Sequence, residues 1–405
     1  MSVGKDLPVK CQVISGVTLT AVEAGIRYAN RRDLVLIELA AGTVVSGVFT
    51  RNAFCAAPVQ VAREHLLEHA PRYLLINTGN ANAGTGTQGL HDARSSCQAV
   101  AELAGVDAGQ VLPFSTGVIG EPLPMEKLIA GLPSALDSLR DHAWEQAARG
   151  IMTTDTRPKS ATCTLYLADG EVRISAIAKG AGMIKPNMAT MLAFVFTDAA
   201  VARPLLDDLL VAAVDKSFNR ITVDGDTSTN DCCVLAATGR SGVTLSTSDE
   251  LSLQQFRAAL EQLFRDLAVQ LIKDAEGASK FITIEIGGGA STDECLKVGY
   301  CVAESPLVKT AFFASDPNWG RILAAIGRAG LDDLDIEQVT IFLGETPLVA
   351  NGGRADSYTE AQGQLEMDKE EITVRIDLAR GDCAETLWTS DLSCEYVRIN
   401  ADYRS

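Results

Sequence analysis

Apolar and polar positions recur with two different periods along this chain, and the periods predict its elements. "RRDLVLIELA" and "TVVSGVFT" are short runs of β-branched and aliphatic residues and predict strands. "AAPVQVAREHLLEHA" predicts a helix and "PRYLLIN" a buried strand, while "NTGNANAGTGTQGL", dense in Asn, Gly and Thr, predicts a loop. "HDARSSCQAVAELAG" has the amphipathic pattern of a helix capped by Gly105. "PMEKLIAGLPSAL" and "DSLRDHAWEQAARGI" predict two further helices. After a strand at "MLAFVF" come the helix "ARPLLDDLLVAAVDKSFN", an acidic loop and the strand "CCVLAATG". In "DELSLQQFRAALEQLFRDLAVQLIKDAEG", Leu260, Leu263, Phe264 and Leu267 recur at three- and four-residue spacing, which predicts a long helix. "KFITIEIGG" predicts a strand, and the rest predicts shorter strands with one helix, "NWGRILAAIGRAG". No repeat, low-complexity tract or long linker interrupts the pattern. Strands without polar residues, such as "MLAFVF", need cover on both faces. The predicted class is therefore α/β, a layered sandwich of sheets covered by helices.

Composition narrows the function. The chain has 405 residues, 47% hydrophobic and 21% charged, enough for one large or two medium domains. A net charge of −17 disfavours nucleic acid and anionic membrane as partners. The N-terminus "MSVGKDLPVKCQ" has no apolar core of signal-peptide length, and no stretch approaches the ~20 apolar residues that span a bilayer. A cytoplasmic protein is expected. The ten cysteines include the adjacent pair Cys232-Cys233 but no C-x-x-C, so they are expected to be reduced, small, buried residues rather than zinc ligands. The four histidines all lie in the first half of the chain. His65 and His69 stand four apart without the HExxH order, which favours an exposed helical face over a metal pair. A histidine-based triad is poorly supplied, and no metal site or cofactor is expected.

One stretch raises a sharper question. "KGAGMIKPNMATMLAFVF" runs from a Gly- and Pro-containing turn directly into an apolar strand. A tight turn before a buried strand explains it, and on residue type alone that reading is favoured. The alternative is that Thr190 becomes a new N-terminus. Attack by its hydroxyl on the Ala189 carbonyl would give an ester that water then cuts. The small Ala189 and the tightly turned Gly180, Gly182 and Pro186 suit that step. The freed α-amine, with an ordinary pKa of about 7.7–8.0, would serve as the hydroxyl's general base. An oxyanion site is available at Thr116 and Gly117 in "LPFSTGVIGEPLP", where an ordinary β-turn competes as explanation. Lys179 offers a cation for a substrate carboxylate, or else a solvated surface charge. Glu276, where the long helix meets a glycine, offers a partner for a substrate ammonium, or else a helix-end residue facing water. The carboxylates of "TVDGDTSTND" have the oxygen ligands that Mg²⁺ or Ca²⁺ prefers, but break the EF-hand spacing; a hydrogen-bonded Asx/ST-turn loop is expected. "NTGNANAGTG" lacks the Gly-Lys-Ser/Thr ending of a phosphate loop.

The order of these segments is more specific than any one of them. "VVSGVFTRNAFCAAPV", "INTGNANAGTG", "STGVIGEPLPM", "IMTTDTRPK", "KGAGMIKPNMATMLAF", "DGDTSTND", "EGASKFITI", "DPNWGRILAA" and "INADYRS" follow one another. Together they closely resemble the ArgJ family, the glutamate N-acetyltransferases or ornithine acetyltransferases of arginine biosynthesis. The resemblance covers almost the whole chain and is least in the first ~25 residues.

The resemblance implies a chain that cuts itself between Ala189 and Thr190. An α fragment, 1–189, and a β fragment, 190–405, would stay together, the latter with a smaller lobe from about 281 to 405. It implies a fold like that of the self-processing aminopeptidase DmpA and an α2β2 assembly. Thr190 is the implied acetyl-carrying nucleophile, with Thr116 and Gly117 as oxyanion donors. Substrate-binding positions carry over to Thr153, Lys179, Thr190, Glu276, Asn400 and Ser405; family members end in Ser or Thr, so Ser405 is no departure. The implied reaction moves an acetyl group from N-acetylornithine to glutamate, small molecules that share the α-amino acid frame. Bifunctional members also take acetyl-CoA, and no residue in these motifs separates them from monofunctional ones. Rival readings are a self-processing aminopeptidase or amidase, a metal-dependent enzyme built on the 222–231 loop, and an uncleaved amino-acid-binding protein.

Overall fold

The structure is a computed structural model that describes residues 2–5, 8–185 and 191–402. In chain order its first part holds β1 (Val17–Val22), β2 (Leu34–Leu39), β3 (Val44–Phe49), α1 (Ala57–Glu68), β4 (Tyr73–Asn80), α2 (Gly86–Ala104), β5 (Val111–Val118), α3 (Met125–Asp137) and α4 (Trp144–Gly150). There follow β6 (Lys159–Leu167), β7 (Gly170–Lys179), β8 (Leu192–Thr197), β9 (Ala200–Val201), α5 (Arg203–Asp215), β10 (Ile221–Thr222), β11 (Cys232–Ala237), β12 (Thr244–Leu245) and α6 (Glu250–Lys273).

Two sheets form the middle layers. One has the order β1-β2-β4-β5, the other β3-β11-β8-β7-β6. The fully apolar strand β8 explains the arrangement. Alternate side chains of a strand face opposite sides, and here both sides are covered. Leu192, Phe194 and Phe196 join the core between the sheets, packed with Val35, Ile37, Leu74, Ile76 and Phe114. Phe114 meets Phe194 edge-to-face with ring centroids 5.2 Å apart, tying sheet to sheet. Ala193 and Val195 face outward against α5 and α6. The neighbour β11 divides in the same way, with Cys232, Val234 and Ala236 inward and Cys233, Leu235 and Ala237 outward. Ala176, Ala178, Ala193 and Ala237 on that outer face are small, which lets α6 lie close with Phe256, Leu260, Leu263, Phe264 and Leu267 buried. On the opposite face, α2 and α3 cover Leu34, Leu36, Leu75 and Val111. The order of layers is helix, sheet, sheet, helix.

The last part comprises β13 (Phe281–Gly289), α7 (Thr292–Ala303), α8 (Pro306–Phe313), α9 (Trp319–Gly327), β14 (Thr340–Leu343), β15 (Thr346–Ala350), β16 (Gly353–Arg354), α10 (Glu360–Met367), β17 (Glu371–Asp377), β18 (Cys383–Ser390) and α11 (Cys394–Ala401). Its sheet, β10-β18-β13-β17-β14-β15-β16, has a separate core beneath α7 to α10, with Ile284, Ile341, Val374 and Ile376 at its centre. The strand β10 comes from the sandwich part of the chain and pairs parallel to β18, Ile221 with Trp388. One sheet therefore spans the junction.

Several sequence expectations are corrected. "DSLRDHAWEQAARGI" is helical only over Trp144–Gly150; Arg140 instead bridges to Leu19 at the sheet edge. Among the described residues the C-terminal part contains five helices rather than one, because Ser291, Ser305 and Ser393 each cap a short helix that periodicity alone does not reveal. β4 continues to Asn80 and α2 begins at Gly86, which shortens the expected loop. His65 is not on an exposed face: it is buried, with Nδ1 2.7 Å from the Val111 carbonyl. All ten cysteines are free; Cys97, Cys232, Cys233 and Cys295 are buried and Cys394 is exposed.

Candidate active site

The ends of β5 and β7 and the starts of β8 and β11 meet along one edge of the sandwich, because β8 runs antiparallel to β7 and parallel to β11. They enclose a cavity of about 260 Å³. Thr116, Gly117, Thr153, Lys179, Glu276 and Asn400 all line it, so six positions named from sequence and drawn from five distant segments converge. Met191 and Leu192 line it too. Ala189, Thr190 and Ser405 lie outside the described residues.

Thr116 and Gly117 belong to β5, not to a turn after it. The β4–β5 pairing shifts register at Gly79 and Asn80, opposite them. Gly117 has φ +135°, and a Cβ there would stand 2.3 Å from the Gly79 carbonyl carbon. Only glycine permits both that conformation and that approach. Lys179 is 8% exposed, so it is not a surface charge, and its Nζ donates to Thr116 Oγ1 at 3.3 Å. Burial pushes its ammonium down, and Lys159 adds to this; Asp155, Asp231 and Glu276 oppose the shift.

Behind Lys179 lies a buried ionic group. Lys159 bonds to Asp155 and, at 2.5 Å, to Asp274 Oδ2; the three side chains are at most 1% exposed. Asp155 also accepts from Gly180 N–H at 2.7 Å and Thr153 N–H at 2.9 Å. Burial alone would push the Asp155 carboxyl up, but Lys159, Lys179 and these bonds hold it well below the usual range. This carboxylate thus fixes the turns carrying Thr153 and Gly180 on either side of the cavity.

Glu276 does not face water. It is buried in the turn after α6, its N–H donates to the Ala181 carbonyl at 2.8 Å, and Oε2 accepts from Asn400 Nδ2 at 2.7 Å. A Cβ at Gly182 would stand 2.4 Å from Glu276 Oε2, so a larger residue there would displace this carboxylate. Asn400 rides on α11, which returns from the C-terminal lobe to close the site.

The 222–231 loop is part of the site wall, beyond the self-contained turn expected. Asp224 accepts from Met183 N–H at 2.7 Å and Ile184 N–H at 2.9 Å, and Tyr396 donates to it at 3.2 Å. Asn230 Nδ2 donates to the carbonyls of Ala81, at 2.6 Å, and Ser115, at 2.9 Å. Among the described residues no group of three or more His, Cys, Asp or Glu is placed to hold a metal ion. Asp155, Asn230 and Asp231 were missed as site residues. A signal existed for Asp231: a carboxylate directly before the wholly apolar run "CCVLAA" must sit at the end of a buried strand.

Fold and cavity define the class: a layered α/β protein with a small polar cleft at its strand ends, lined by a hydroxyl, a cation and carboxylates. Residues 18–405 match the ArgJ family. The chain is 57% identical over 392 residues to the arginine biosynthesis bifunctional protein ArgJ of Methylococcus capsulatus, covering 97% of this chain and 96% of that protein. It is 54% identical over 393 residues to the protein of the same name from Pseudomonas fluorescens, covering 97% of each. A solved ornithine acetyltransferase from Mycobacterium tuberculosis, complexed with ornithine, is 35% identical; the match covers 44% of this chain and 94% of that one, with a TM-score of 0.41. The chain belongs to the ArgJ family. Among the described residues no helix is long and apolar enough to cross a membrane.

Proposed function

We propose that this chain is a self-processing acetyltransferase of arginine biosynthesis with Thr190 as its acyl-carrying nucleophile. The chain is cut between Ala189 and Thr190. The Thr190 hydroxyl takes the acetyl group of N-acetylornithine and releases ornithine, and the amine of glutamate then takes the acetyl group from the threonine ester. The observation that carries this reading is the convergence of Thr116, Gly117, Thr153, Lys179, Glu276 and Asn400, from both sides of the cut, on one cavity beside Met191. Its volume of about 260 Å³ lies just below the ~300–1,000 Å³ of drug-sized pockets, which suits an amino-acid-sized ligand. Thr116 and the Gly117 backbone are assigned to the oxyanion. Glu276, paired with Asn400, is assigned with Thr153, Lys179 and Ser405 to the substrate's charged ends. The relatives' designation as bifunctional supports acetyl-CoA as a second donor. The fragments are assigned to a cytoplasmic α2β2 assembly.

Purified protein should run as two bands of about 20 and 23 kDa in proportion to length, yet as one species without denaturant. N-terminal sequencing of the larger should read Thr-Met-Leu-Ala-Phe; any other start refutes the cut. Acetate release that proceeds equally well without glutamate would instead establish the amidase reading. A Thr116→Ala variant should lose about 10²–10³-fold in kcat with KM within a few-fold, since the lost donor acts on charge that develops only in the transition state. Wild-type kcat in the folded variant removes Thr116 from the oxyanion site.

A further inference from the structure

Asp231 ends the 222–231 loop and immediately precedes β11. Its carbonyl accepts from Thr50 N–H at 2.9 Å, and the next residue, Cys232, donates N–H to the Met191 carbonyl at 2.9 Å. The backbone is thereby held between the ends of β3 and β8. The side chain is 3% exposed and lines the cavity. Ser228 supplies it with hydrogen bonds, but its Oδ2 is buried with no partner among the described residues. Buried carboxylate oxygens are almost always satisfied, so an orphan acceptor on a residue that lines the cavity points to a role for this carboxyl at the ligand. The other carboxylate lining the cavity, Glu276, has Oε2 engaged by Asn400, and Asp155 behind the wall is engaged by Lys159 and two backbone N–H groups.

Acyl exchange between two amino acids leaves a proton to be handled. The acceptor arrives as an ammonium, which cannot attack, and the departing amine must leave as one. We propose that Asp231 takes a proton from the ammonium of the incoming amino acid and returns it to the departing amine, an assignment that rests on the acyl-transfer reading above. In the first half-reaction the amide C–N bond breaks and the ester C–O bond forms. The hydroxyl proton passes to the leaving nitrogen, and the amine takes the Asp231 proton and departs as an ammonium. In the second, the incoming ammonium passes a proton to the Asp231 carboxylate and the free amine attacks. The ester C–O bond then breaks, the new amide C–N bond forms, and the second amine proton restores the hydroxyl. Asp231 ends protonated, as it began.

The surroundings favour this exchange. Burial pushes the Asp231 carboxyl well above the usual carboxylate range, against Ser228 and Lys179, which brings it closer to an amine in proton affinity. The groups facing it are Lys179 from β7, the Cys232 thiol on β11 and the Ser228 hydroxyl, while Thr50 and Met191 bring no titratable group from β3 and β8. Asp155, Lys159 and Glu276 act on Lys179 behind it.

The test uses full-length Asp231→Asn and Asp231→Glu proteins with saturating N-acetylornithine, comparing glutamate with hydroxylamine as acceptor. Hydroxylamine is already unprotonated at neutral pH. For wild type, kcat/KM for glutamate should fall on the acid side as Asp231 gains its proton. In D231N that limb should vanish and the neutral-pH rate should drop about 10²-fold or more. The rate should then climb about tenfold per pH unit as glutamate supplies its own free amine. The kcat/KM for hydroxylamine should stay close to wild type, because in a ping-pong scheme it reports only the second half-reaction and not the departure of ornithine that Asp231 also serves. Equal losses in kcat/KM toward both acceptors, or an unchanged acid limb, would overturn the assignment. If D231N stays uncut or unfolded on a gel and a melt, D231E decides: a displaced acid limb supports the role, and an unmoved one overturns it. Absence of transfer by wild type would instead remove the acyl-transfer reading, and this assignment with it.

Discussion

Replacing Thr190 by Ala should leave a single 42.9 kDa chain on a denaturing gel, with acetyl transfer reduced by about 10⁴-fold or more. Both losses have one origin, since the same hydroxyl is assigned to the cut and to the acetyl group. Without it no ester forms at the Ala189 carbonyl, and the α-amine that would act as its base is never freed. Thr190→Ser keeps the hydroxyl and should still be cut, at an altered rate. The assays are band pattern, fragment N-terminus and acetylglutamate formation. Normal cutting of the alanine variant would exclude Thr190 as the processing nucleophile, whatever its role in transfer.

The largest stability effect is expected at Lys159. Its ammonium lies between Asp155 and Asp274, and none of the three side chains is more than 1% exposed. Lys159→Met keeps much of the volume but leaves two buried carboxylates without their cation, which should cost about 3–5 kcal/mol. A thermal or denaturant melt reads this directly, and a change below about 1 kcal/mol would contradict the buried pairing. The pH dependence gives a second check. Asp155 is held below its unfolded value, so its contribution is full above about pH 4 and is lost as pH falls through the lower folded value. Wild-type stability should therefore be insensitive to this group at neutral pH. In the variant, burial is no longer opposed by Lys159, so the folded value rises and this acid-side loss should shrink or reverse; an acid limb of undiminished depth would contradict the pairing. Because Asp155 also holds Thr153 and Gly180, activity should fall with stability.

What could be read from the chain follows the strength of each physical signal. The strand at Leu192–Thr197 was legible because six consecutive buried residues leave no polar face, and so was the helix Glu250–Lys273 because its apolar stripe persists for 24 residues. The capped helices near residues 292, 306 and 394 were not, since segments of eight to twelve residues carry too few periods to separate from a turn, and the helix expected over "DSLRDHAWEQAARGI" was legible in type but forms only over Trp144–Gly150. The site was legible through a resemblance of ordered motifs, which brought forward Thr116, Gly117, Thr153, Lys179, Glu276 and Asn400. On residue type alone, Lys179 and Glu276 had ordinary solvent-exposed explanations, and the structure buries both.

By itself the sequence determined the layered α/β class, because runs such as "MLAFVF" demand cover on both faces. It also determined which residue types were available for chemistry: threonine, lysine and carboxylates, with no histidine after His142. Tertiary structure decided which of them work together. Lys159 is bound to an aspartate four residues back and to another 115 residues on, and Asp231 keeps an oxygen without a partner among the described residues near Lys179. Those facts depend on distance and on exclusion of water. Both arise only when strands β5, β7, β8 and β11 bring their ends to one edge, and neither leaves a trace in the local pattern of residues.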